Sequence, residues 1–420
     1  MMSDNKTTMP KRLPLSGVTV LDFSRVLSGP YCTMILADLG ARVIKVERVG
    51  TGDDTRAFGP FIDKESAYFM CFNRGKESIA LDFKIPRDRE ILDRLLDKAD
   101  VVVENFRPGV MERLGYGAEQ LARSHPHIVY ASISGFGHTG PFSDLPGYDA
   151  VVQAMGGLMS LTGYPDGPPA RVGTSIGDLG AGLFATIGIL AGLHKRSRDA
   201  QGTHVDIGML DCQAALLETA LARFDVEGKV PRRNGDAHPS LSPFETYLAQ
   251  DGRFVIAAGN DTLFLLMVDA FGVPQLASDP RFVTNDLRVK NRPALTESIE
   301  SVTLTSPINH WLDKLNEVGV PCGPINSIDA IMEHPQLLAR DMIIQVEGVA
   351  GRKVRTAGNP IKMSTSPDED VSVARKSPSV SEHREAILAE VMSSTGAYSP
   401  QGRSVEDPSP NPELDPIMSA

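Results

Sequence analysis

The sequence predicts an α/β protein whose N-terminal half contains a mainly parallel β-sheet. Short β-branched runs alternate with helical segments, and residues 18–47 read as strand, helix and strand. A helix between two such strands is typical of a parallel βαβ unit. The chain has 420 residues, more than one hydrophobic core usually serves, so we expect two domains.

The same alternation continues along the chain until the composition changes. Residues 227–243 hold prolines, glycines and charges without periodicity, which indicates a linker before a second α/β region. In chain order the predicted elements are a strand over 18–23, a helix over 31–39, a strand over 41–47, a helix over 86–99, a strand over 100–105, a helix from about 110, a strand over 127–135, a buried helix over 178–194, a strand over 203–208, a helix over 209–224, a strand over 253–259, helices near 264–271, 295–302 and 308–318, and a last helix over 382–392.

Composition narrows the class of protein. Hydrophobic residues make up 41% of the chain and charged residues 23%, which is ordinary for a folded soluble protein. The net charge of -11 disfavours nucleic acid as a partner, because phosphate binding needs a basic face. No apolar run reaches the about 20 residues of a membrane span, so we expect no membrane partner. The opening lacks a secretory apolar stretch and the four cysteines are scattered, which predicts a cytoplasmic protein with reduced thiols.

The turn after the first predicted strand is a candidate ligand loop. In parallel sheets, ligands gather at the carboxyl ends of strands, where helix N-termini present free N–H groups. Val26 to Pro30 occupy this position, although an ordinary connection shaped by Gly29 and Pro30 explains them as well. The GxGxxG sequence of a Rossmann dinucleotide site is absent, which disfavours a nicotinamide-dependent oxidoreductase.

Several basic residues follow predicted strands or lie in loops. Together they could hold the phosphates of a nucleotide through charge-assisted hydrogen bonds. For any single one, a solvated surface charge is the simpler interpretation. The set comprises Arg48, Arg56, Arg74, Lys76, Lys84, Arg107 and Arg113.

Asp178 opens an apolar helix rich in small residues, and two roles fit it. As an N-cap, its carboxylate would accept hydrogen bonds from the first backbone N–H groups of the helix. As a nucleophile, it would attack a carbonyl and would have to be ionised at neutral pH. A helix N-terminus favours the ionised form and could stabilise a developing oxyanion. The position therefore serves either role.

Other catalytic motifs are absent from the sequence. The nine histidines show no HExxH or other metal-ligand spacing, so no metal site is predicted. There is no GxSxG elbow and no P-loop sequence, which leaves serine hydrolase and P-loop chemistry unsupported.

A dozen further motifs occur in order along the chain: GVTVLDFSRVLSGP, LGARVIKVER with GDDTR, FNRGKESIALDFK, ADVVVENFRPGVMERLG, YASISGFGHTGP, GYDAVVQAMGGLMSLTG, VGTSIGDLGAG, GTHVDIGMLD, IAAGNDTLF, PRFVTNDLRVKNR, GVPCGPI and GNPIKMS. Taken together, these motifs resemble the family III CoA-transferases, also called the CaiB/BaiF family. The resemblance runs from about Leu13 to Met392.

The resemblance implies a large Rossmann-like parallel-sheet domain formed by both chain ends, with a small α/β domain inserted between them. The implied boundaries are 13–225 for the first part of the large domain, 226–328 for the linker and small domain, and 329–393 for the return segment. Residues 1–12 and 394–420 are expected to be disordered tails. The resemblance further implies a homodimer in which the two chains interlock.

Family roles transfer to the matching positions of this sequence. Asp178 matches the catalytic aspartate. Gly259, Asn260 and Asp261 match a flexible loop of the small domain that covers the active site. The positions implied to contact coenzyme A or to flank the active site are Leu27, Ser28, Arg48, Leu81, Lys84, Asn105, Phe106, Arg113, Tyr148 and Asp149.

The implied chemistry uses acyl-CoA and coenzyme A as substrates, with no permanently bound cofactor. Asp178 would attack the donor thioester and carry CoA as an aspartyl thioester. Leu27 stands where formyl-CoA:oxalate transferases carry glutamine, and Ala257-Ala258-Gly259 replaces their glycine run. Both departures disfavour oxalate, so succinyl-CoA and a larger dicarboxylate are the expected donor and acceptor.

Two alternatives share the fold. An α-methylacyl-CoA racemase would carry a histidine in a GHD segment, but this chain has Tyr148 in the histidine's place. A tyrosine with a pKa near ~10 is a poor base at neutral pH, which disfavours racemisation. A subunit of a heteromeric CoA-transferase or dehydratase remains open.

Overall fold

The computed structural model describes residues 13–349, 351–363 and 376–393, so the predicted disordered tails 1–12 and 394–420 lie outside the described residues. In chain order the strands are β1 (Thr19–Asp22), β2 (Arg42–Glu47), β3 (Phe61–Ile62), β4 (Glu65–Ser66), β5 (Glu77–Ala80), β6 (Val101–Glu104), β7 (Val129–Ser134), β8 (His204–Gly208), β9 (Phe244–Ala249), β10 (Gly252–Ala257), β11 (Cys322–Pro324), β12 (Ile343–Glu347) and β13 (Lys353–Ala357). The α-helices are α1 (Ser28–Asp38), α2 (Ala67–Asn73), α3 (Pro86–Leu96), α4 (Val110–Leu114), α5 (Ala118–Ser124), α6 (Asp149–Met155), α7 (Leu158–Leu161), α8 (Ile176–Asp199), α9 (Met209–Ala215), α10 (Ala220–Glu227), α11 (Asp261–Ala270), α12 (Asn285–Lys290), α13 (Arg292–Thr303), α14 (Ile308–Glu317), α15 (Ile328–Met332), α16 (Pro335–Ala339) and α17 (Arg384–Ser393). Short 3₁₀ helices cover Asp54–Ala57 and Pro274–Ser278.

Six strands form one parallel sheet in the order β5-β2-β1-β6-β7-β8. The predicted α/β fold with a parallel sheet is therefore confirmed. The chain winds outwards in opposite directions from β1 and β6, which are neighbours in the sheet. The loops after these two strands diverge, and such a switch point opens a crevice at the carboxyl ends of the strands.

Helices cover both faces of this sheet because successive side chains of each strand point to opposite faces. Val20 belongs to a core that includes residues of α1 and α8. Its neighbour Leu21 belongs to the core on the other face, with residues of α3 and α17. Helix α17 thus brings the C-terminal end of the described chain back onto the N-terminal sheet.

Helix α8 packs against α1, β7, β8 and α9. Contrary to the sequence-based expectation, it is long and apolar enough, by length and composition, to cross a membrane. Its glycines explain why it can instead lie so close to its neighbours. A Cβ added at Gly182 would be 2.7 Å from the carbonyl oxygen of Ser28, and one at Gly192 would be 2.8 Å from the Val129 side chain.

The described chain divides into two units. The first takes residues up to Gly156, then Gly173–Leu216 and the residues from Leu338 onwards. The second takes Gly157–Val172 and Leu217–Leu337. These limits differ from the predicted boundaries at 225/226 and 328/329, and the segment 157–172 was not expected in the second unit. It belongs there because the predicted linker binds it: the Arg233 guanidinium donates to the Gly167 carbonyl at 2.8 Å.

The second unit contains a three-stranded antiparallel sheet in the order β11-β10-β9. Its core gathers side chains of this sheet, including Phe254, with Phe264 of α11, Leu295 of α13 and Trp311 of α14. The Trp311 indole N–H donates to the Thr303 carbonyl at 2.7 Å, so its one polar group is satisfied.

Two predicted helices are each divided by a left-handed residue. The segment from Val110 breaks between α4 and α5, where Gly115 has a φ of 90°. The predicted helix 209–224 breaks between α9 and α10, where Glu218 has a φ of 56°. Apolar periodicity alone does not reveal such breaks, because the residues on both sides keep the helical pattern.

Candidate functional site

Asp178 lies inside the first turn of α8, one position after Gly177. The helix begins at Ile176 with Ser175 at the N-cap, so the alternative that Asp178 is itself the cap is wrong. The start of α8 packs tightly onto α6. A Cβ added at Gly177 would lie 2.8 Å from Val152 and 3.0 Å from the Asp149 Oδ1.

Asp149 closes the N-terminal turn of α8 from outside the helix. Its Oδ1 accepts a hydrogen bond of 2.8 Å from the Gly177 N–H, and its Oδ2 accepts one of 2.8 Å from the Gln153 amide. The Asp149 side chain is buried, as the first residue of α6. Two acidic residues, Asp149 and Asp178, are therefore held next to each other.

The loop between β7 and α6 is drawn together at its base, which places Asp149. Gly135 and Gly147 face each other so closely that a Cβ on Gly135 would be 2.7 Å from the Gly147 Cα. A Cβ on Gly147 would be 2.5 Å from the Gly135 Cα. Neither position can accept a side chain without moving the backbone.

The environment raises the pKa of Asp178. Burial is the larger cause and the neighbouring Asp149 charge the second, and together they bring this pKa to about 7. The sequence predicts that the helix N-terminus keeps the group ionised. Removal from water outweighs that effect, because a helix terminus is worth less than the solvation that a carboxylate loses.

Tyr68 of α2 is a further group near these carboxylates that sequence reasoning missed. Burial raises the pKa of Tyr68, and the negative charges of Asp178, Asp53 and Asp149 raise it further, to about 12. Tyr68 is therefore a neutral hydroxyl at physiological pH, able to donate a hydrogen bond. No local signal marks it, because its position depends on how α2 packs.

The loops after β1 and β6 begin side by side at the switch point of the sheet and are joined there by hydrogen bonds. Leu27 is the N-cap residue of α1 and Ser28 its first residue, and both are buried. The Asn105 amide donates to the Ser28 Oγ at 3.2 Å and to the Arg25 carbonyl at 2.7 Å. Three of the predicted CoA-contacting residues are thus brought together.

A cavity of about 40 Å³ opens beside these loops. Phe106 and Arg48 line it, and Arg25 extends its guanidinium over the Phe106 ring at 5.9 Å. The Arg48 Nε is buried and has no hydrogen-bond partner within 13–349, 351–363 and 376–393. The remaining lining residues are Phe23, Ser24, Lys45, Val46, Glu47, Gly52, Asp53 and Asp54.

Other predicted contacts differ in how much of the side chain is accessible. Leu81 is only 2% exposed and belongs to the core under the sheet, so only its backbone could meet a ligand. Lys84 and Arg113 are exposed, the latter on α4. Tyr148 is 65% exposed just before α6.

The predicted covering loop lies in the second unit and is tied into a helix. Asn260 is the N-cap of α11, and its Oδ1 accepts from the Leu263 N–H at 2.9 Å. Asp261 pairs with the buried Arg288 guanidinium at 2.6 Å. Two of the three predicted loop residues therefore lie at a helix start, and their role in covering the active site stays a prediction.

Glu104, at the end of β6, is a buried carboxyl group that the sequence analysis did not single out. Its Oε2 accepts from the Phe106 N–H at 2.8 Å, and its Oε1 lies 3.8 Å from the His138 Nε2. Burial raises the pKa of Glu104 to about 8. The group is therefore mostly protonated at pH 7.

The family model described as CoA-transferase family III matches residues 15–384. The chain belongs to this family and is a CoA-transferase. It is 47% identical over 364 residues to acetyl-CoA:oxalate CoA-transferase of Acetobacter aceti, which covers 86% of this chain and 92% of that protein. It is 40% identical over 380 residues to succinyl-CoA:glutarate CoA-transferase of Mus musculus, covering 90% and 86%. The fold resembles a CaiB/BaiF family protein of Brucella suis, with a TM-score of 0.79 at 40% identity over 91% of this chain and all of that one.

Proposed function

We propose that this enzyme moves CoA from an acyl-CoA donor to a small dicarboxylate through covalent catalysis by Asp178. One observation carries the proposal: Asp178 lies in the first turn of α8 beside Asp149, with its pKa raised to about 7. A carboxyl group whose pKa is close to physiological pH can be both ionised for attack and basic enough to be an effective nucleophile.

In the proposed reaction every bond that breaks is matched by a bond that forms, and no group is lost. The Asp178 carboxylate attacks the thioester carbonyl, a C–O bond forms, the C–S bond breaks, and CoA leaves as thiolate from an aspartyl–acyl anhydride. The thiolate attacks the aspartyl carbonyl, releasing the donor acid and leaving aspartyl-CoA. The acceptor carboxylate then attacks this thioester. The released thiolate attacks the acceptor's carbonyl in the new anhydride, which gives the new acyl-CoA and restores Asp178.

The loops after β1 and β6 are the proposed binding place for the CoA nucleotide. Arg48 supports this assignment, since its buried Nε has no partner among the described residues and a phosphate or adenine nitrogen could satisfy it. Phe106 offers an aromatic face in the same cavity. Lys84 and Arg113 contribute exposed positive charge that could engage phosphates.

The relatives bear on the acid that accepts CoA. One is named for oxalate and another for glutarate, and both acids are dicarboxylates. Oxalate therefore returns as a candidate, although Leu27 and the missing glycine run disfavoured it. We propose a dicarboxylate acceptor with succinyl-CoA as donor. Tyr68 is the proposed hydrogen-bond donor to its carboxylate, because it stays neutral beside Asp178.

We also propose a homodimer with interlocked chains, located in the cytoplasm. Leu183 and Ile187 are 46% and 62% exposed on one side of α8, an apolar strip that a second chain could cover. The four cysteines are free, which suits a reducing compartment. Light scattering coupled to size exclusion would measure the mass, and a monomer would contradict the dimer.

The decisive experiment traps the covalent intermediate. The enzyme is mixed with succinyl-CoA alone, hydroxylamine is added, and peptides are analysed by mass spectrometry. We expect a hydroxamate at Asp178 and none at Asp211, which lies in the first turn of α9 and serves as internal control. Asp178→Asn should give no adduct. An unmodified Asp178 in active enzyme would exclude the covalent route.

A further inference from the structure

Val26 adopts a backbone conformation that β-branched residues avoid. Its φ is 66°, in the left-handed region where the Cβ crowds the following carbonyl. Strained residues of this kind persist only where their surroundings hold them, and they cluster at ligand sites. Val26 directly precedes Leu27, the N-cap of α1. The strain therefore needs a source in the neighbouring structure.

The two residues before Val26 are held through their backbone groups. The Ser24 carbonyl accepts a hydrogen bond of 2.7 Å from the Lys45 ammonium, which comes from the middle of β2. The Arg25 N–H donates to the Asn105 Oδ1 at 2.8 Å, and the Arg25 carbonyl accepts from the same amide. These hydrogen bonds fix the position and direction of the backbone immediately before Val26.

Asp53 connects Val26 itself to the same lysine. Its Oδ1 accepts from the Val26 N–H at 3.3 Å and from the Thr55 N–H at 2.9 Å. Its Oδ2 lies 2.9 Å from the Lys45 Nζ, and the two side chains are 0% and 1% exposed. A buried ion pair resists separation, because either partner alone would be a buried charge without compensation.

The residue that follows this loop contacts α8, the helix that carries Asp178. Ser28 follows Leu27, and its carbonyl oxygen would be 2.7 Å from a Cβ at Gly182. Gly182 lies about one helical turn after Asp178 in α8. A change of chain direction at Val26 would therefore shift Ser28 and alter the contact between α1 and α8.

We propose that Lys45 and Asp53 are positioning residues that impose the left-handed conformation on Val26 and so orient Leu27 and Ser28 toward coenzyme A. The proposal rests on the proposed function in that coenzyme A is taken as the ligand. Lys45 and Asp53 act through the loop backbone and need no contact with the reacting atoms.

The test introduces Asp53→Asn into three proteins: the parent, Val26→Gly and Val26→Ala. The amide has one oxygen where the carboxylate used two, so it cannot serve both the Val26 N–H and Lys45. In the parent we expect the Kd for CoA to rise about tenfold. A rise of this size corresponds to the free-energy cost of holding a non-glycine residue in the left-handed conformation without support. Glycine takes a positive φ without a Cβ penalty, so in Val26→Gly the rise should stay below about threefold. Alanine keeps the Cβ, so in Val26→Ala it should remain near tenfold.

Calorimetric titration with free CoA gives Kd and the fraction of competent protein separately. A merely structural role for Asp53 would lower the competent fraction and leave Kd unchanged. Unchanged Kd, or equal rises in all three backgrounds, would overturn the positioning role while the proposed function stands. Absence of CoA binding by the parent protein would overturn the proposed function and, with it, the ligand named here.

A second measurement covers the case that Asp53→Asn does not fold. Val26→Gly and Val26→Ala differ only by the Cβ that the left-handed conformation crowds. We expect the glycine variant to have the higher melting temperature. Glycine usually lowers stability relative to alanine, because it raises the conformational entropy of the unfolded chain, so this order is the reverse of the usual one. An equal or lower melting temperature would show that Val26 is unstrained and would overturn the proposal.

Discussion

The Gly177 N–H donates a hydrogen bond of 2.8 Å to the carboxylate of Asp149, so an acidic residue of α6 holds the start of α8. The same carboxylate is the second cause, after burial, of the raised pKa of Asp178. One side chain therefore fixes the helix that carries the proposed nucleophile and also adjusts the proton affinity of that nucleophile.

This relationship predicts a pH dependence of catalysis. In the proposed mechanism only ionised Asp178 attacks, so kcat/KM for acyl-CoA should rise about tenfold per pH unit below pH 7 and level off above it. Asp149→Asn keeps an oxygen for the Gly177 N–H but removes the charge, so the midpoint should move to lower pH. Initial rates between pH 5 and 9 would show this. An identical midpoint in the variant would contradict the electrostatic role of Asp149.

Asp178→Asn should trade activity for stability. Loss of the proposed nucleophile should reduce transfer by more than about a thousandfold. The folded pKa of Asp178 is raised, so its stabilising contribution is complete below its ordinary pKa near 4 and is lost as pH rises through about 7. The variant should therefore be more stable than the parent at pH 8, by on the order of 4 kcal/mol, and nearly equal to it at pH 4. Urea unfolding at both pH values tests this, and a gain at pH 4 alone would reverse the argument.

Glu104→Gln should be tolerated, since glutamine resembles the protonated acid in shape. The folded pKa of Glu104 is raised to about 8 by burial, so the parent loses stability as pH rises from about 4.5 through 8. The variant should gain on the order of 4 kcal/mol relative to the parent at pH 8 and nothing at pH 4. Glu119→Gln, at an exposed position of α5, is the matched control and should change little. Denaturant unfolding of all three proteins measures the difference, and a destabilised Glu104→Gln at pH 8 would refute the protonated state.

Gly182→Ala should disturb the contact between α1 and α8. The new Cβ would meet the Ser28 carbonyl oxygen at 2.7 Å, and backbone cannot give way cheaply, so we expect a loss of about 1–3 kcal/mol and weaker CoA binding. Gly180→Ala in the same helix meets only the end of the Leu216 side chain, at 3.0 Å. That variant should be neutral or gain up to about 1 kcal/mol, because alanine favours helix. Thermal unfolding and CoA titration of both would decide, and equal effects would refute the steric argument.

The sequence was sufficient to predict the parallel sheet, because the β-branched runs of β1, β2, β6 and β7 alternate with helices of clear periodicity. It was also sufficient to place Asp178 near a helix start. It could not reveal that Asp149, distant in sequence, would close that start. The raised pKa of Asp178 follows from this packing and from burial, neither of which is a local property.

The second unit was harder to delimit for the same physical reason. The segment 157–172 carries no signal for it, and joins it only through tertiary hydrogen bonds such as that from Arg233 to Gly167. Glu218 likewise lies in the break between α9 and α10, which no glycine or proline marks in the sequence. Tyr68 could have been found only from a structure, since its surroundings come from several distant segments.

The mutual approach of Gly135 and Gly147 has a consequence for how this scaffold can diversify. Since the two backbones meet, the ends of the intervening segment stay anchored whatever that segment contains. Exchanges in its exposed part, residues 139–142 and 144–146, should therefore leave the acidic residue just beyond it in place. The start of the segment is constrained, since Phe136 is buried and the His138 N–H donates to Asp206.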